Sequence, residues 1–158
     1  MLLDLLDAST ARQVLALQRM AYRIEADLIG FDEIPPLQEN QEELQACKEV
    51  FFGVKVGQVL VGAIAHARHD DVVEIGRLMV HPGFFRQGLA TSLLLEVEQA
   101  HLEARVLRVA TGSLNIPARR LYETHGFLTV GTLEVGPGVF MTVYEKHRGS
   151  PDIQHPAG

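Results

Sequence analysis

Val14, Leu17, Ala21, Ile24 and Leu28 recur at spacings of three and four residues. That period puts them on one face and predicts an amphipathic helix over residues 11–28. Asp7, Ser9 and Thr10 offer caps before it, and Gly30 ends it. Upstream, Leu2–Leu6 is short and apolar and reads as an edge strand. Pro35 and Pro36 deny helix to the residues before them, so Phe31–Pro36 reads as a loop. Leu37–Val50 reads as a second, more polar helix. Phe51–Val56 and Val59–His66 read as strands joined by a tight turn at Gly57-Gln58. Val72–Val80 follows the Asp70-Asp71 turn as the next strand, and Gly76 interrupts its alternation and invites a bulge. Leu89, Leu93, Val97 and Ala100 mark one face of a helix over Gln87–Leu102. Val106–Ala110 is a buried strand. Asn115 caps a short helix through His125, with Pro117 in its first turn and Gly126 as its C′ residue. Phe127–Leu133 and Val139–Glu145 are closing strands.

The resulting order, β-α-α-β-β-β-α-β-α-β-β, predicts an α/β architecture: a mixed sheet with helices on both faces. Three consecutive strands joined by short turns exclude an uninterrupted parallel doubly wound sheet. Residues 1–146 read as a single domain, and the polar tail 147–158, with two prolines, reads as disordered. A chain of 158 residues is long enough to bury a core. The net charge of −6 argues against nonspecific nucleic-acid binding. No apolar run approaches the length of a membrane span, and Met1–Leu6 lacks the basic region of a secretory leader. Cys47, the single cysteine, has no intrachain partner. A cytoplasmic protein is the expectation.

The richest stretch chemically is His81–Leu94, HPGFFRQGLATSLL, where a strand passes into a helix through a loop holding Gly83, Gly88 and Ala90. Glycine lets the backbone come close to a ligand, and a helix N-terminus presents unpaired N–H groups. The pair is a ready cradle for a phosphate or pyrophosphate. A second block, NIPARRLYETHGF at 115–127, places a tyrosine, then Glu-x-x-Gly-Phe, seven residues after an asparagine.

These blocks, with VEIGRLMVHPGFFRQGLA at 73–90, resemble the GCN5-related N-acetyltransferase (GNAT) family over roughly residues 1–145. The family's loop reads Arg or Gln, two residues, Gly, one residue, then Gly or Ala. Gly88 and Ala90 match, whereas Phe85 stands in the first position with Arg86 beside it. The resemblance implies a mostly antiparallel sheet whose fourth and fifth strands splay around acetyl-CoA. It implies direct transfer of the acetyl group from the thioester to an amine acceptor. Phe85, Arg86, Gln87, Gly88, Leu89, Ala90 and Thr91 would hold the pyrophosphate, and the amides of Leu78, Met79 and Val80 the pantetheine and thioester. Tyr122 would protonate the leaving thiolate; read alone, it is a core residue beside Leu121. Glu74 would be a general base, or else a solvent-facing strand residue. Asn115 would touch the pantetheine arm as well as cap its helix. Tyr22 and Glu33, in a region that also holds Glu25, Asp27 and Asp32, would line the acceptor cleft. A homodimer is compatible with the resemblance, and a noncatalytic acyl-CoA-binding domain is its alternative.

The remaining polar residues have plainer readings. The seven histidines read as scattered surface residues rather than metal ligands, and Cys47 as an inert helix residue. Arg105, Arg108, Arg119 and Arg120 read as solvated charges, of which one or two could reach the 3′-phosphate.

Overall fold

The computed structural model describes residues 1–149. Residues 150–158, most of the expected tail, lie outside the described residues. The elements are β1 (Leu2–Leu3), α1 (Ala8–Ile29), α2 (Pro35–Gln38), α3 (Gln41–Ala46), β2 (Val50–Val56), β3 (Val59–His69), β4 (Val72–Val80), α4 (Leu89–Ala100), β5 (Val106–Gly112), α5 (Ile116–Thr124), β6 (Leu128–Gly136) and β7 (Val139–His147). The seven strands form one sheet in the order β1-β2-β3-β4-β5-β7-β6, antiparallel throughout except for β4 and β5.

The single long helix expected over Leu37–Val50 is two short ones. Glu39 is extended, and Asn40 starts α3 with a capping box: its side chain accepts from the Glu43 amide, and the Glu43 carboxylate accepts from the Asn40 amide. Val50 already belongs to β2. Cys47 is the half-buried C-cap of α3 rather than an interior helix residue. The closing strands run longer than their apolar cores suggest. β7 reaches His147, and Arg148 donates to the carbonyls of Glu98, His101 and Ala104.

Two apolar layers sandwich the sheet. On one face α1 and α3 pack Val14, Leu17 and Leu44 against Phe51, Ala63, Ala65 and Met79. On the other, α4 and α5 pack Leu93, Leu94, Val97 and Tyr122 against Ile64, Ile75, Leu107 and Val109. The α1 stripe works because Asp7 caps its start and Gly30, at φ +70°, lets the chain leave in the left-handed conformation.

The register of β4 decides where a ligand can enter. Its pairing with β5 covers only Val72–Ile75 against Val106–Val109. At the next residue the β3–β4 register slips: Ala65 faces Arg77 and His66 faces Ile75, leaving Gly76 as an extra, bulged residue. A Cβ at Gly76 would collide with the Glu49 carboxylate. Beyond the bulge β4 stays with β3, β5 continues with β7, and the two strands part.

Candidate active site

The gap between β4 and β5 opens into a cleft of about 1040 Å³ that passes through the sheet. Its walls combine Tyr22 and Glu25 from α1 with Thr91 from α4 and Tyr122 from α5, which belong to opposite faces. Leu78 and Val80 line it from β4, and Ala110 and Thr111 from β5. Arg77 and Met79, on the intervening positions, point to the α1 face.

The loop before α4 has the backbone of an anion cradle. A short 3₁₀ turn, Pro82–Phe84, leads to Arg86 at φ +63° and Gly88 at φ +76°. Gly88 is the N-cap of α4 and supplies no side-chain cap. The first helical bond runs from the Ser92 amide to the Gly88 carbonyl (3.0 Å). The amides of Leu89, Ala90 and Thr91 therefore face the cleft mouth without a capping side chain. Thr91 Oγ1 contacts His125 Nε2 at 3.0 Å, tying the first turn of α4 to the end of α5.

Tyr122 is 4% exposed, with its ring edge-on to Phe127 (centroids 5.6 Å apart) and tilted against Tyr144 (5.9 Å). Its hydroxyl makes no hydrogen bond among the described residues. Burial, and then the negative charge of Glu25, raise its pKa, so the phenol holds its proton across the physiological range. Burial, Glu25 and Tyr122 raise that of Tyr22 as well, while Arg77 and the Leu78 main-chain N–H act the other way. The His81 amide donates to the Val61 carbonyl of β3, so by the alternation of a strand the Leu78 amide points away from β3, toward the slot.

Glu25 is the central carboxylate of the cleft. Its Oε1 accepts from Thr111 Oγ1 (3.0 Å), the Gly112 amide (3.4 Å) and Asn115 Nδ2 (3.4 Å). Asn115 meanwhile caps α5, its Oδ1 accepting from the Ala118 amide (3.3 Å). Gly112 makes this meeting possible, because a Cβ there would collide with Ile29 Cγ2 on α1.

The Acetyltransferase (GNAT) family pattern matches residues 13–127. The chain belongs to the GNAT family. It is 37% identical over 138 residues to UPF0157 protein YqkA of Bacillus subtilis (strain 168), a match covering 87% of the chain and 40% of that protein. The chain thus spans about two fifths of the length of this curated relative. Its fold is similar to that of the PaiA N-acetyltransferase of Thermoplasma acidophilum, solved in complex with coenzyme A. That match has a TM-score of 0.73 and 17% identity, and covers 89% of this chain and 94% of that one. It is similar also to the ribosomal-protein-S18-alanine N-acetyltransferase of Escherichia coli, with a TM-score of 0.70 and 14% identity, covering 89% of each chain.

In this GNAT domain the sequence-derived site residues are only partly brought together. Leu78, Val80, Phe85, Arg86, Gly88, Leu89, Ala90, Thr91, Asn115 and Tyr122 line one cleft with Tyr22 and Glu33. Gln87 is exposed outside its walls, and the Met79 side chain is buried in the α1 layer. Glu74 is not brought in. It lies on the half of β4 that still pairs with β5, beyond the bulge from the cleft. There its carboxylate accepts from Arg108 Nη1 (3.2 Å) in an exposed ion pair. Asp27 and Asp32 both pair with Arg23 on the outer face of α1. Arg119 is engaged by the Tyr144 hydroxyl and the Ser113 carbonyl, which leaves Arg120 as the α5 arginine lining the cleft. Among the described residues no group of three His, Cys, Asp or Glu is placed to hold a metal ion.

Sequence reading placed Glu25 only as one of several acids near the acceptor cleft, and gave no role to Arg77. Arg77, its side chain 11% exposed, donates to Gln18 Oε1 (2.8 Å) and Glu49 Oε1 (2.9 Å) and forms an ion pair with Glu39. Burial opposes its charge, but the two glutamates outweigh that and raise its pKa. Gln18 Nε2 also donates to the Pro36 carbonyl (2.9 Å), so the network pins the α2 segment over the acceptor side.

Proposed function

We propose that this chain transfers the acetyl group of acetyl-CoA to a primary amine. The observation that carries this reading is the slot through the sheet. It brings the uncapped amides of α4, the Leu78 amide and the protonated Tyr122 hydroxyl into one cleft. The cleft suits the cofactor: it is large and mostly apolar along its length, and a left-handed glycine at one mouth leaves room for phosphate oxygens.

When bound, acetyl-CoA supplies the acetyl group as an activated thioester. The amides of Leu89, Ala90 and Thr91 hold the pyrophosphate, with Arg86 and Arg120 as the nearby guanidiniums. The Leu78 amide donates to the thioester carbonyl, where negative charge grows during attack. Tyr122 keeps its proton until the sulfur departs and then delivers it, so that no bare thiolate forms in an apolar slot, and the proton shed by the newly acylated nitrogen restores the phenol by way of solvent in the open cleft. The acceptor enters from the α1 side, beneath the loop at residues 30–36. Acetyl-CoA metabolism and a free Cys47 thiol support a cytoplasmic setting.

Calorimetric titration with coenzyme A, followed by mass spectrometry of an amine mixture incubated with acetyl-CoA, tests the proposal. Binding and at least one product heavier by an acetyl group are expected. Absence of coenzyme A binding refutes it.

A further inference from the structure

The acceptor half of the cleft has an unusual chemical character. Ile24, Leu28, Phe31, Pro35, Val135 and Met141 line it. No lysine, arginine or histidine from α1, the α1–α2 loop or the β6–β7 hairpin does so. Inside this apolar funnel stands Glu25. Three donors from β5 and the start of α5 converge on its Oε1, while Oε2 makes no hydrogen bond among the described residues. Among the described residues no ion pair neutralises it. A carboxylate fixed by one oxygen and free at the other, without a cation of its own, is built to receive one.

We propose that Glu25 Oε2 receives the ammonium group of the acceptor, and that the acceptor carries that ammonium on an apolar chain or ring. This rests on the acetyl-transfer reading, since it names what enters the other half of the same slot. One half-buried charge matches one ammonium. The surrounding walls favour hydrocarbon and disfavour a second cation, which would lose its hydration against Leu28 and Met141. Phe31 offers an aromatic surface to the entering body, and it is held in place by the backbone of Gly136, where an added Cβ would lie 3.3 Å from its ring. Glu33 is exposed at the mouth and takes part in steering rather than in fixing the ammonium.

The test uses the full chain, with and without saturating coenzyme A, titrated calorimetrically with 2-phenylethylamine and with spermidine. The wild type is expected to bind 2-phenylethylamine more tightly than spermidine. Glu25→Gln should weaken 2-phenylethylamine about tenfold or more, the usual scale for losing a charge-assisted hydrogen bond. Glu25→Asp should recover part of that loss, and Phe31→Ala should weaken the apolar amine while leaving spermidine unaffected. Coenzyme A affinity should stay the same in all three variants. Tighter binding of spermidine, or an unchanged amine affinity in Glu25→Gln, overturns the proposal. So does a loss of coenzyme A affinity in Glu25→Gln, which would mark Glu25 as structural. Failure of the wild type to bind coenzyme A would instead refute the acetyl-transfer reading, and the titrations without it would still decide the role of Glu25.

Discussion

Lowering the pH should destabilise this protein through one histidine before its carboxylates titrate. His66 is 2% exposed, with its ring 4.8 Å from that of Phe52 and 5.0 Å from that of His101. Its Nδ1 and the Nε2 of His101 are buried without hydrogen-bond partners. Burial, and then the positive charge of His101, lower the His66 pKa from 6.5 to about 4, against the pull of Glu96. Burial also lowers the pKa of His101, with Arg68 and Arg148 acting in the same direction. The unfolded chain therefore binds the proton near pH 6.5, whereas the folded chain resists it until near pH 4. Stability is complete above that window and is lost as the pH falls through it. At about 1.4 kcal/mol per pKa unit the whole shift amounts to about 3 kcal/mol, of which about 2.5 kcal/mol is gone by pH 4.5. Asp7, Glu39 and Glu145 have lowered pKa values, so their contributions fade at lower pH. Urea unfolding of the wild type and His66→Gln from about pH 7.5 to 4.5 measures the effect. The wild type should lose about 2.5 kcal/mol more than the variant. Parallel stability curves, or an imidazole NMR titration of His66 centred at or above pH 6.5, would refute the reasoning.

Two further outcomes follow from the cleft. Tyr122→Phe should keep the fold and the coenzyme A affinity but lower kcat by about 10²–10⁴-fold, the usual contribution of a general acid; unchanged turnover with chemistry rate-limiting would reduce Tyr122 to packing. Gly112→Ala should cost about 1–3 kcal/mol in stability, because the new methyl strikes Ile29 Cγ2. In an Ile29→Ala background the added cost of Gly112→Ala should largely disappear, and a double-mutant cycle with no coupling would show that the two do not collide.

Much of this molecule is legible along the chain, for reasons that differ by element. α1 shows itself because one apolar stripe faces one layer for most of its 22 residues. The cofactor side is legible because glycine, small residues and a helix start are local signals. Glu25 is named in the sequence only among the acids of the acceptor region, and nothing local singles it out. On an amphipathic helix it reads as a solvent-facing acid, and its three partners lie 86 to 90 residues away. His66 was expected at the surface, yet it shares a buried face of β3 with Ile64. The break between α2 and α3 is written in the Asn40–Glu43 capping box, a local signal outweighed by the surrounding helix formers. Of the two readings open for Glu74, its place is that of the solvent-facing strand residue, because the bulge at Gly76 separates the paired half of β4 from the half that lines the cleft.

That bulge has the character of a crease. On β3 the register counts from His66–Ile75 directly to Ala65–Arg77, so the sheet is in step on both sides of the fold line and Gly76 is surplus length on one strand alone. A chain shortened by that one residue would keep every remaining cross-strand neighbour of β3 and the outward or inward aim of Arg77, Leu78, Met79 and Val80. What it would lose is the slack that lets β4 turn away from β5. One residue of excess contour, at a position where a side chain would have to displace the Glu49 carboxylate, separates a closed sheet from one with a door in it.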